Sequence, residues 1–329
     1  GLVEAVGAEV DDVGEGEGLR RLELHGVEEA AVAGELAERR VAQWSRHGAD
    51  VRILSREEVR ALVGSDVWHG GWTAPSGGHI NPLALAREMA RAVIAQGGRV
   101  FIRTPATAYV REASGAWRVD TPTGTVRARA LILASNAYTG EFAAGLAPQI
   151  ATEVVPVLSW QMATAPVSHN IAKSFLPGRQ AMSDTHGDLH FARWDARNRL
   201  VTGGALMVAA NGAERLRQRI GARIATWAPA LAELKFDYVW NGYVGMTTDF
   251  MPRFHVLGPD AWGWTGCNGR AVGLAISIGR ELASAATGER LDTLGLPFTE
   301  PRPLPLHSLV RRAAPLRLVT FRWRDAREI

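Results

Sequence analysis

The sequence feature that most constrains the fold is a glycine turn between a short apolar strand and a long helix, at residues 262–283. Gly266 and Gly269 can adopt positive φ and carry no Cβ, so the backbone there can approach a bound molecule closely. Asn268 is predicted to cap the helix that follows. A glycine turn before an ordinary buried helix explains the same residues, so the pattern depends on its context.

The helix after this turn is suited to an anionic or a flat ligand. Its first turn points free N–H groups and the positive end of the helix dipole at whatever lies ahead. Small residues along the helix would let it press against a sheet or a flat ligand. They are Ala271, Gly273, Ala275, Ser277 and Gly279.

Composition indicates a globular protein of about two domains. The chain has 329 residues, 47% of them hydrophobic and 22% charged, which is enough for a sizeable core. The net charge is +3 and no basic patch with interleaved aromatics occurs, so nucleic acid is rejected as the default partner. A single cysteine, Cys267, excludes an internal disulfide and a multi-cysteine metal site, and no metal is predicted. No run of about eighteen apolar residues occurs, so we predict no membrane span and expect a cytoplasmic location.

Local signals predict where several helices and strands begin. Alternation over residues 19–24 is typical of a half-buried strand. Ser55 begins a capping box for a short helix. Asn81 and Pro82 supply an N-cap and an N1 proline for the next helix. Asn211 is predicted to cap a further helix.

A second strand-to-helix junction lies in the middle of the chain. The continuous apolar run at 130–134 is typical of a strand buried on both faces. Ser135, Asn136 and Ala137 then open a helix. Such crossing points are where nucleotides bind in α/β sheets.

Taken together, the motifs resemble those of the D-amino-acid-oxidase-like FAD-dependent oxidoreductases, and within them the γ-glutamylputrescine-oxidase-like branch. They occur in the family's order from about residue 65 to about residue 294. The set is Gly-Gly-His-Ile-Asn-Pro at 77–82, Ala-Leu-Ile-Leu-Ala-Ser-Asn-Ala-Tyr at 130–138, Val-Pro-Val at 155–157, Leu-Val-Thr-Gly-Gly at 200–204, Trp-Asn-Gly at 240–242, Thr-Asp-Phe-Met-Pro at 248–252 and Gly-Cys-Asn-Gly-Arg at 266–270.

The resemblance implies an α/β (α+β) fold with a flavin-binding domain and a substrate domain built on a mixed antiparallel sheet. The flavin domain is expected at 74–149 and 250–294, the substrate domain at 19–73 and 150–249, and a C-terminal tail at 295–329. Members of the family open with a strand, Gly-x-Gly-x-x-Gly and a helix, and nothing in residues 1–60 matches that pattern. We therefore expect the flavin domain to lack its first βαβ unit and the chain to be N-terminally truncated.

The resemblance also implies non-covalent FAD as the cofactor. The residues expected to bind it belong to the two strand-to-helix junctions: Ala134, Ser135, Asn136, Gly266, Cys267, Asn268, Gly269, Arg270 and Ala271. Cys267 is interpreted as a small packing residue. The alternative is a truncated, non-catalytic chain that does not hold FAD.

The implied reaction is oxidation of a primary or secondary amine, γ-glutamylputrescine-like, to an imine and then an aldehyde. Dioxygen or another acceptor takes the electrons. Amino-acid-oxidising relatives often carry Trp-x-Gly-x-Arg-Pro, whose Arg clamps the substrate carboxylate. Here Val244 replaces that Arg, which favours an amine, although Arg193 could serve from a neighbouring strand. An amino-acid or sarcosine-type oxidase or dehydrogenase of the same family is the alternative.

The expected substrate pocket is lined by a histidine, three aromatic residues and an arginine. These are His79, Trp160, Phe191, Arg193 and Trp240. Core packing explains the aromatics equally, and a backbone-bonded loop histidine explains His79. His186 and His190 are predicted to be structural or exposed. Asp249 is predicted to fix a turn, and no catalytic residue is assigned.

Overall fold

A computed structural model describes residues 21–25, 30–75, 77–142, 145–186, 190–206, 210–316, 319–320 and 323. Residues 19 and 20 of the strand expected at 19–24 lie outside the described residues. So do most of the residues before position 30, where the family's opening pattern was not found. The chain divides into two compact units. Unit 1 is Gly1–Glu88, Ser159–Asn241 and Leu316–Ile329, and unit 2 is Met89–Leu158 and Gly242–Pro315.

The described chain contains both helices and strands. The helices are Ala30–Ser45 (α1), Arg56–Val63 (α2), Pro82–Ala95 (α3), Thr139–Phe142 (α4), Pro148–Ala151 (α5), His169–Ser174 (α6), Gly212–Trp227 (α7), Ala271–Ala286 (α8) and His307–Ala313 (α9). The strands are Arg21–His25 (β1), Arg52–Leu54 (β2), Gly70–Ala74 (β3), Ala108–Arg111 (β4), Trp117–Thr121 (β5), Gly124–Ala128 (β6), Leu131–Leu133 (β7), Val155–Thr164 (β8), Ala181–Asp184 (β9), Phe191–Trp194 (β10), Leu200–Ala205 (β11), Phe236–Met246 (β12), Arg253–Gly258 (β13), Ala261–Thr265 (β14) and Phe298–Thr299 (β15). Among the described helices, none has both the length and the hydropathy to cross a bilayer.

The described strands form three sheets. The largest has the order β12-β8-β11-β10-β9-β1-β3-β2 and is mixed, because β1 is parallel to β9 and antiparallel to β3. The second has the order β15-β13-β14-β7 and is also mixed, and the third, β4-β5-β6, is antiparallel. The predicted α/β (α+β) fold class with a mixed sheet is confirmed.

The helix starts show where local sequence signals suffice. Ser55 Oγ accepts from the Glu58 backbone N–H at 3.2 Å and the Glu58 carboxylate accepts from the Ser55 N–H at 2.8 Å, which is the predicted capping box. Asn81 Oδ1 accepts from two N–H groups in the first turn of α3. Asn211 precedes α7 but makes no side-chain cap, since its backbone is left-handed with φ 49°. N-caps require an extended backbone for the side chain to reach the first turn.

The core of unit 1 lies between α7 and the large sheet. Trp194, on β10, is buried and its indole N–H donates to the Phe175 carbonyl at 2.7 Å. Gly204 of β11 admits α7 at close range, because a Cβ there would lie 2.9 Å from the Arg219 guanidinium and 3.6 Å from Ile220. The face of the sheet that carries Trp194 is therefore the helix-covered face.

The core of unit 2 lies between α8 and its four-stranded sheet. Every residue of β14 is buried. The side of α8 that carries Ile278, Leu282 and Ala285 packs with β13 and β14. Gly273, Ala275, Ser277 and Gly279 are exposed, so they do not make the predicted contact with a sheet, and their contact with a flat ligand stays a prediction. The buried residues belong to the second half of the helix, while Val272 and Ile276 near its start are exposed.

Several large apolar side chains of unit 2 are exposed to solvent. Exposed fractions of 47–77% are found at Met89, Val93, Ile94, Phe101, Ile102, Val272 and Ile276.

Candidate functional site

The two strand-to-helix junctions predicted to bind the cofactor meet at one edge of the unit 2 sheet. Strands β7 and β14 are parallel neighbours, with Leu133 opposite Gly263. Parallel strands end at the same edge, so residues 134–137 and 266–270 emerge side by side. Along the chain they are about 130 residues apart. The structure therefore brings both predicted segments together.

Asn136 joins the two segments. Its backbone is left-handed with φ 45°, which Asn tolerates better than most residues. Its side-chain Oδ1 accepts from the backbone N–H groups of Gly266 at 3.0 Å and Cys267 at 3.3 Å. Both of those residues are buried, so the amide satisfies two donors that have no solvent partner.

Asn268 does not cap α8, which corrects the sequence prediction. The helix begins at Ala271 and its N-cap residue is Arg270. Asn268 Oδ1 instead accepts from the Thr247 backbone N–H at 2.9 Å, and its own N–H donates to the Gly245 carbonyl. The Asn268 side chain, which the local pattern assigned to the start of α8, is therefore bonded to a residue that is distant in the sequence.

The start of α8 is available to an anionic group. The first turn contains no acidic residue and Arg270 makes no side-chain cap, while its guanidinium donates to the Phe250 carbonyl at 2.6 Å. At Gly269, with φ 77°, no atom lies within 4 Å of the position that a Cβ would take. Free N–H groups at the positive end of a helix dipole, beside accessible backbone, suit the phosphates or the ring of a flavin dinucleotide. The residues present therefore fit FAD.

The remaining predicted cofactor residues lie around this turn. Ser135 Oγ shares a hydrogen bond of 2.7 Å with Thr139 Oγ1. Cys267 is buried in the unit 2 core as a small packing residue, as predicted. Ala134 is exposed and Ala271 is half-buried.

Sequence reasoning missed Gly245 and Thr247 as part of this turn. A Cβ on Gly245 would lie 2.8 Å from Asn136 Oδ1, and a Cβ on Gly266 would lie 2.5 Å from Thr247 Cγ2. The available signal was a glycine inside strand β12, which often marks a close backbone approach.

In unit 1, two of the predicted pocket residues share one face of the large sheet. Successive strand residues point to opposite faces, so Phe191 and Arg193 point away from the helix-covered face that carries Trp194. Val201 lies opposite Arg193 in the register, and the Phe191 ring lies 2.9 Å from where a Cβ on Gly203 would be. We call the face defined by Phe191, Arg193, Val201 and Gly203 the Arg193 face.

Trp160 does not belong to the Arg193 face. Trp240 lies on β12 and is 45% exposed. Trp160 is buried on the helix-covered side, with its ring 2.8 Å from the Cβ position of Gly212. Core packing accounts for Trp160.

His79 and Arg193 are electrostatic neighbours. Burial lowers the pKa of His79, the bond between its Nε2 and the Arg179 carbonyl at 3.2 Å raises it, and the charges of Arg193 and Arg179 lower it further. The lowered pKa of His79 favours a neutral imidazole at neutral pH. The carbonyl contact is the backbone bond that the sequence analysis gives as the alternative role for His79.

Arg193 is a half-buried cation that has no counter-ion in the part of the chain that the structure describes. Its guanidinium lies 5.7 Å from the Phe191 ring centroid. Within the described residues it has no hydrogen bond and no carboxylate partner. Burial lowers the pKa of Arg193, because removing a charge from water disfavours the charged form.

Comparisons with known proteins identify the family. The family described as FAD dependent oxidoreductase (DAO) matches residues 17–285. Gamma-glutamylputrescine oxidoreductase of Escherichia coli (strain K12) is 30% identical over 273 residues, which cover 78% of this chain and 63% of that protein. The chain thus spans less than two thirds of the length of this relative.

Solved structures show the same fold. Glycine oxidase from Geobacillus kaustophilus superposes with a TM-score of 0.68 at 20% identity, covering 83% of this chain and 72% of that one. L-proline dehydrogenase from P.horikoshii superposes with a TM-score of 0.71 at 16% identity, covering 84% and 74%. The family resemblance that the motifs predict is confirmed, and the chain belongs to the FAD dependent oxidoreductase (DAO) family of enzymes.

Proposed function

We propose that the protein containing this chain oxidises a primary or secondary amine that also carries a carboxylate, of the γ-glutamylputrescine type. The product is an imine, which water hydrolyses to an aldehyde. Family membership supports the oxidoreductase part of the proposal. The name of the relative that is 30% identical supports the substrate type. The observation that carries the substrate class is Arg193, for which no described residue supplies a counter-ion.

Arg193 calls for an anionic ligand on physical grounds. Burying a charge without a partner is costly, and proteins normally supply a counter-ion. The only described partner of Arg193 is the Phe191 ring, which offers a weak attraction. A substrate carboxylate could take two parallel hydrogen bonds from the guanidinium and compensate its burial.

Val244 supports an amine whose carboxylate is remote from the reacting carbon. Its side chain packs against the core cluster of unit 2. An apolar residue in that position offers nothing to an α-carboxylate, whereas amino-acid-oxidising relatives often use an arginine there. The proposed substrate carries its carboxylate elsewhere.

In this proposal FAD is held at the junction of β7 and β14. FAD supplies the acceptor for the hydride that leaves the carbon beside the amine nitrogen. The chain supplies binding and orientation: Asn136 fixes the turn at Gly266 and Cys267, and the first turn of α8 offers N–H groups to negative charge. Dioxygen or another acceptor takes the electrons in the end.

Replacing Arg193 by glutamine is expected to raise KM for γ-glutamylputrescine about tenfold to 150-fold, because one or more charge-assisted hydrogen bonds worth about 1.5–3 kcal/mol each are lost. KM for putrescine, which has no carboxylate, should stay unchanged. The assay uses the protein as its gene encodes it, with peroxide release and dye reduction measured in parallel. These two readouts separate an oxidase from a dehydrogenase.

The matched control is Arg197→Gln, the same change on the exposed turn that follows β10. It should leave both KM values unchanged. An equal rise for both substrates in Arg193→Gln, or none for either, contradicts the role of Arg193. A wild-type protein faster on D-alanine or glycine than on any polyamine contradicts the substrate class, and one that neither binds FAD nor turns over any amine contradicts the proposal as a whole.

A further inference from the structure

Outside the proposed oxidation site, unit 1 contains a compact cluster of three potential metal ligands. Asp184 ends β9, and His186 and His190 lie in the connection to β10. Nδ1 of His186 lies 2.8 Å and Nδ1 of His190 lies 2.9 Å from the same Asp184 Oδ2 atom. One ligand atom from each residue fits within a span of 4.8 Å.

The backbone holds this cluster in place. Asp184 Oδ1 accepts from the backbone N–H groups of His186 at 3.2 Å and His190 at 3.1 Å, so the carboxylate cannot rotate freely. The two imidazoles stack with their centroids 4.7 Å apart and their planes 25° from parallel. The Asp184 side chain is 1% exposed and the imidazoles are 23% and 18% exposed. A preorganised site of this kind loses little conformational entropy when it binds an ion.

A metal ion binds an ionised carboxylate and imidazole nitrogens that carry no proton. Arg223 is close enough for its charge to act on His190, so it would repel a bound cation and limit its affinity.

We infer that Asp184, His186 and His190 bind one divalent transition-metal ion, with Zn²⁺ as the probe. Two imidazoles and one carboxylate are a set that zinc and its neighbours in the first row accept, with a further position left for water. Tetrahedral zinc at about 2.0–2.1 Å from its ligands separates them by roughly 3.3 Å, so each imidazole nitrogen must move about half an ångström away from the carboxylate oxygen.

The ion would stabilise the fold and would not take part in oxidation. His190 precedes Phe191 on the strand, so it points to the opposite face from the Arg193 face. Its ring lies 6.3 Å from Trp227 of α7, on the helix-covered face. A metal here would tie β9 to β10 beneath α7, away from the proposed substrate residues. This inference is independent of the proposed function.

The test is titration of chelator-treated full-length protein with Zn²⁺, followed by calorimetry and by the thermal midpoint. We expect one ion per chain and a higher midpoint with zinc. In His186→Gln the affinity should fall at least tenfold and the zinc-dependent rise in midpoint should vanish. His47→Gln and His169→Gln, which remove exposed histidines from the same unit, should behave as wild type.

His186 is partly exposed, so His186→Gln should fold, and circular dichroism without zinc checks this. Asp184→Asn should lose the ion as well. Because Asp184 is buried, this change can also affect folding, and His186→Gln is therefore the main variant. Absence of one-to-one zinc binding by the wild type overturns the inference. So does equal zinc affinity in the wild type and His186→Gln.

Discussion

Replacing Glu153 by alanine is expected to lower the free energy of unfolding of unit 2 by about 1–3 kcal/mol, because the buried His255 imidazole loses the carboxylate beside it. Glu153 is 4% exposed and its Oε2 lies 2.9 Å from Nε2 of His255, which is fully buried. Arg253 Nε lies 3.3 Å from the other carboxylate oxygen. Without Glu153, the one polar partner left to the imidazole among the described residues is the Thr299 carbonyl, which lies 3.3 Å from Nδ1.

The measurement is urea unfolding followed by tryptophan fluorescence, since Trp262 and Trp264 belong to the same core. The matched control is Glu112→Ala, which breaks the pair with the solvent-exposed Arg127. Exposed ion pairs contribute little to the free energy of unfolding because water screens them. The Glu112→Ala variant should therefore unfold at the same urea concentration as the wild type. Equal unfolding midpoints for Glu153→Ala and wild type would show that the pair is not needed.

The second large effect is expected at Asn136. In Asn136→Ala the N–H groups of Gly266 and Cys267 lose their acceptor, and a buried unsatisfied donor costs about 1–3 kcal/mol. Two such donors give a loss of about 2–6 kcal/mol, and alanine is also less suited to the left-handed backbone at this position. Under the proposed cofactor site, FAD affinity should fall in parallel, which fluorescence titration measures.

Asn136→Asp is the conservative variant, because a carboxylate oxygen can accept the same two N–H groups. It should recover most of the stability lost in Asn136→Ala. If alanine and wild type unfold at the same urea concentration, the side chain does not hold the two segments together.

Local signals predicted the elements that depend on neighbouring residues only. The capping box at Ser55 and the N-cap at Asn81 involve residues at most three positions apart, and both hold in the structure. Asn268 and Asn211 follow the same residue preference but make no cap. Asn268 binds Thr247, 21 residues away, and Asn211 has the wrong backbone conformation. No local pattern contains this information.

The candidate sites divide in the same way. The junctions at 134–137 and 266–270 were predicted because each ends a buried strand and because the motif set resembles a known family. Trp160 was placed with Phe191, but strand alternation and pairing put it on the other face of the sheet. Glu153 and His255 are 102 positions apart, so no periodic sequence pattern indicates that they pair. The Asp184 cluster was overlooked because its spacing of two and four residues is ordinary in a hairpin.

The parallel pairing of β7 with β14 has a consequence for the order of folding. Leu133 and Gly263 meet only after the whole stretch between them has been synthesised, and that stretch includes residues 159–241 of unit 1. Closing so long a loop is entropically unfavourable, and contacts of high sequence separation form slowly. During translation, the segment Met89–Leu158 is therefore synthesised before β14, the strand that pairs with β7. The hairpin of β10 and β11, with its short turn, can form long before it.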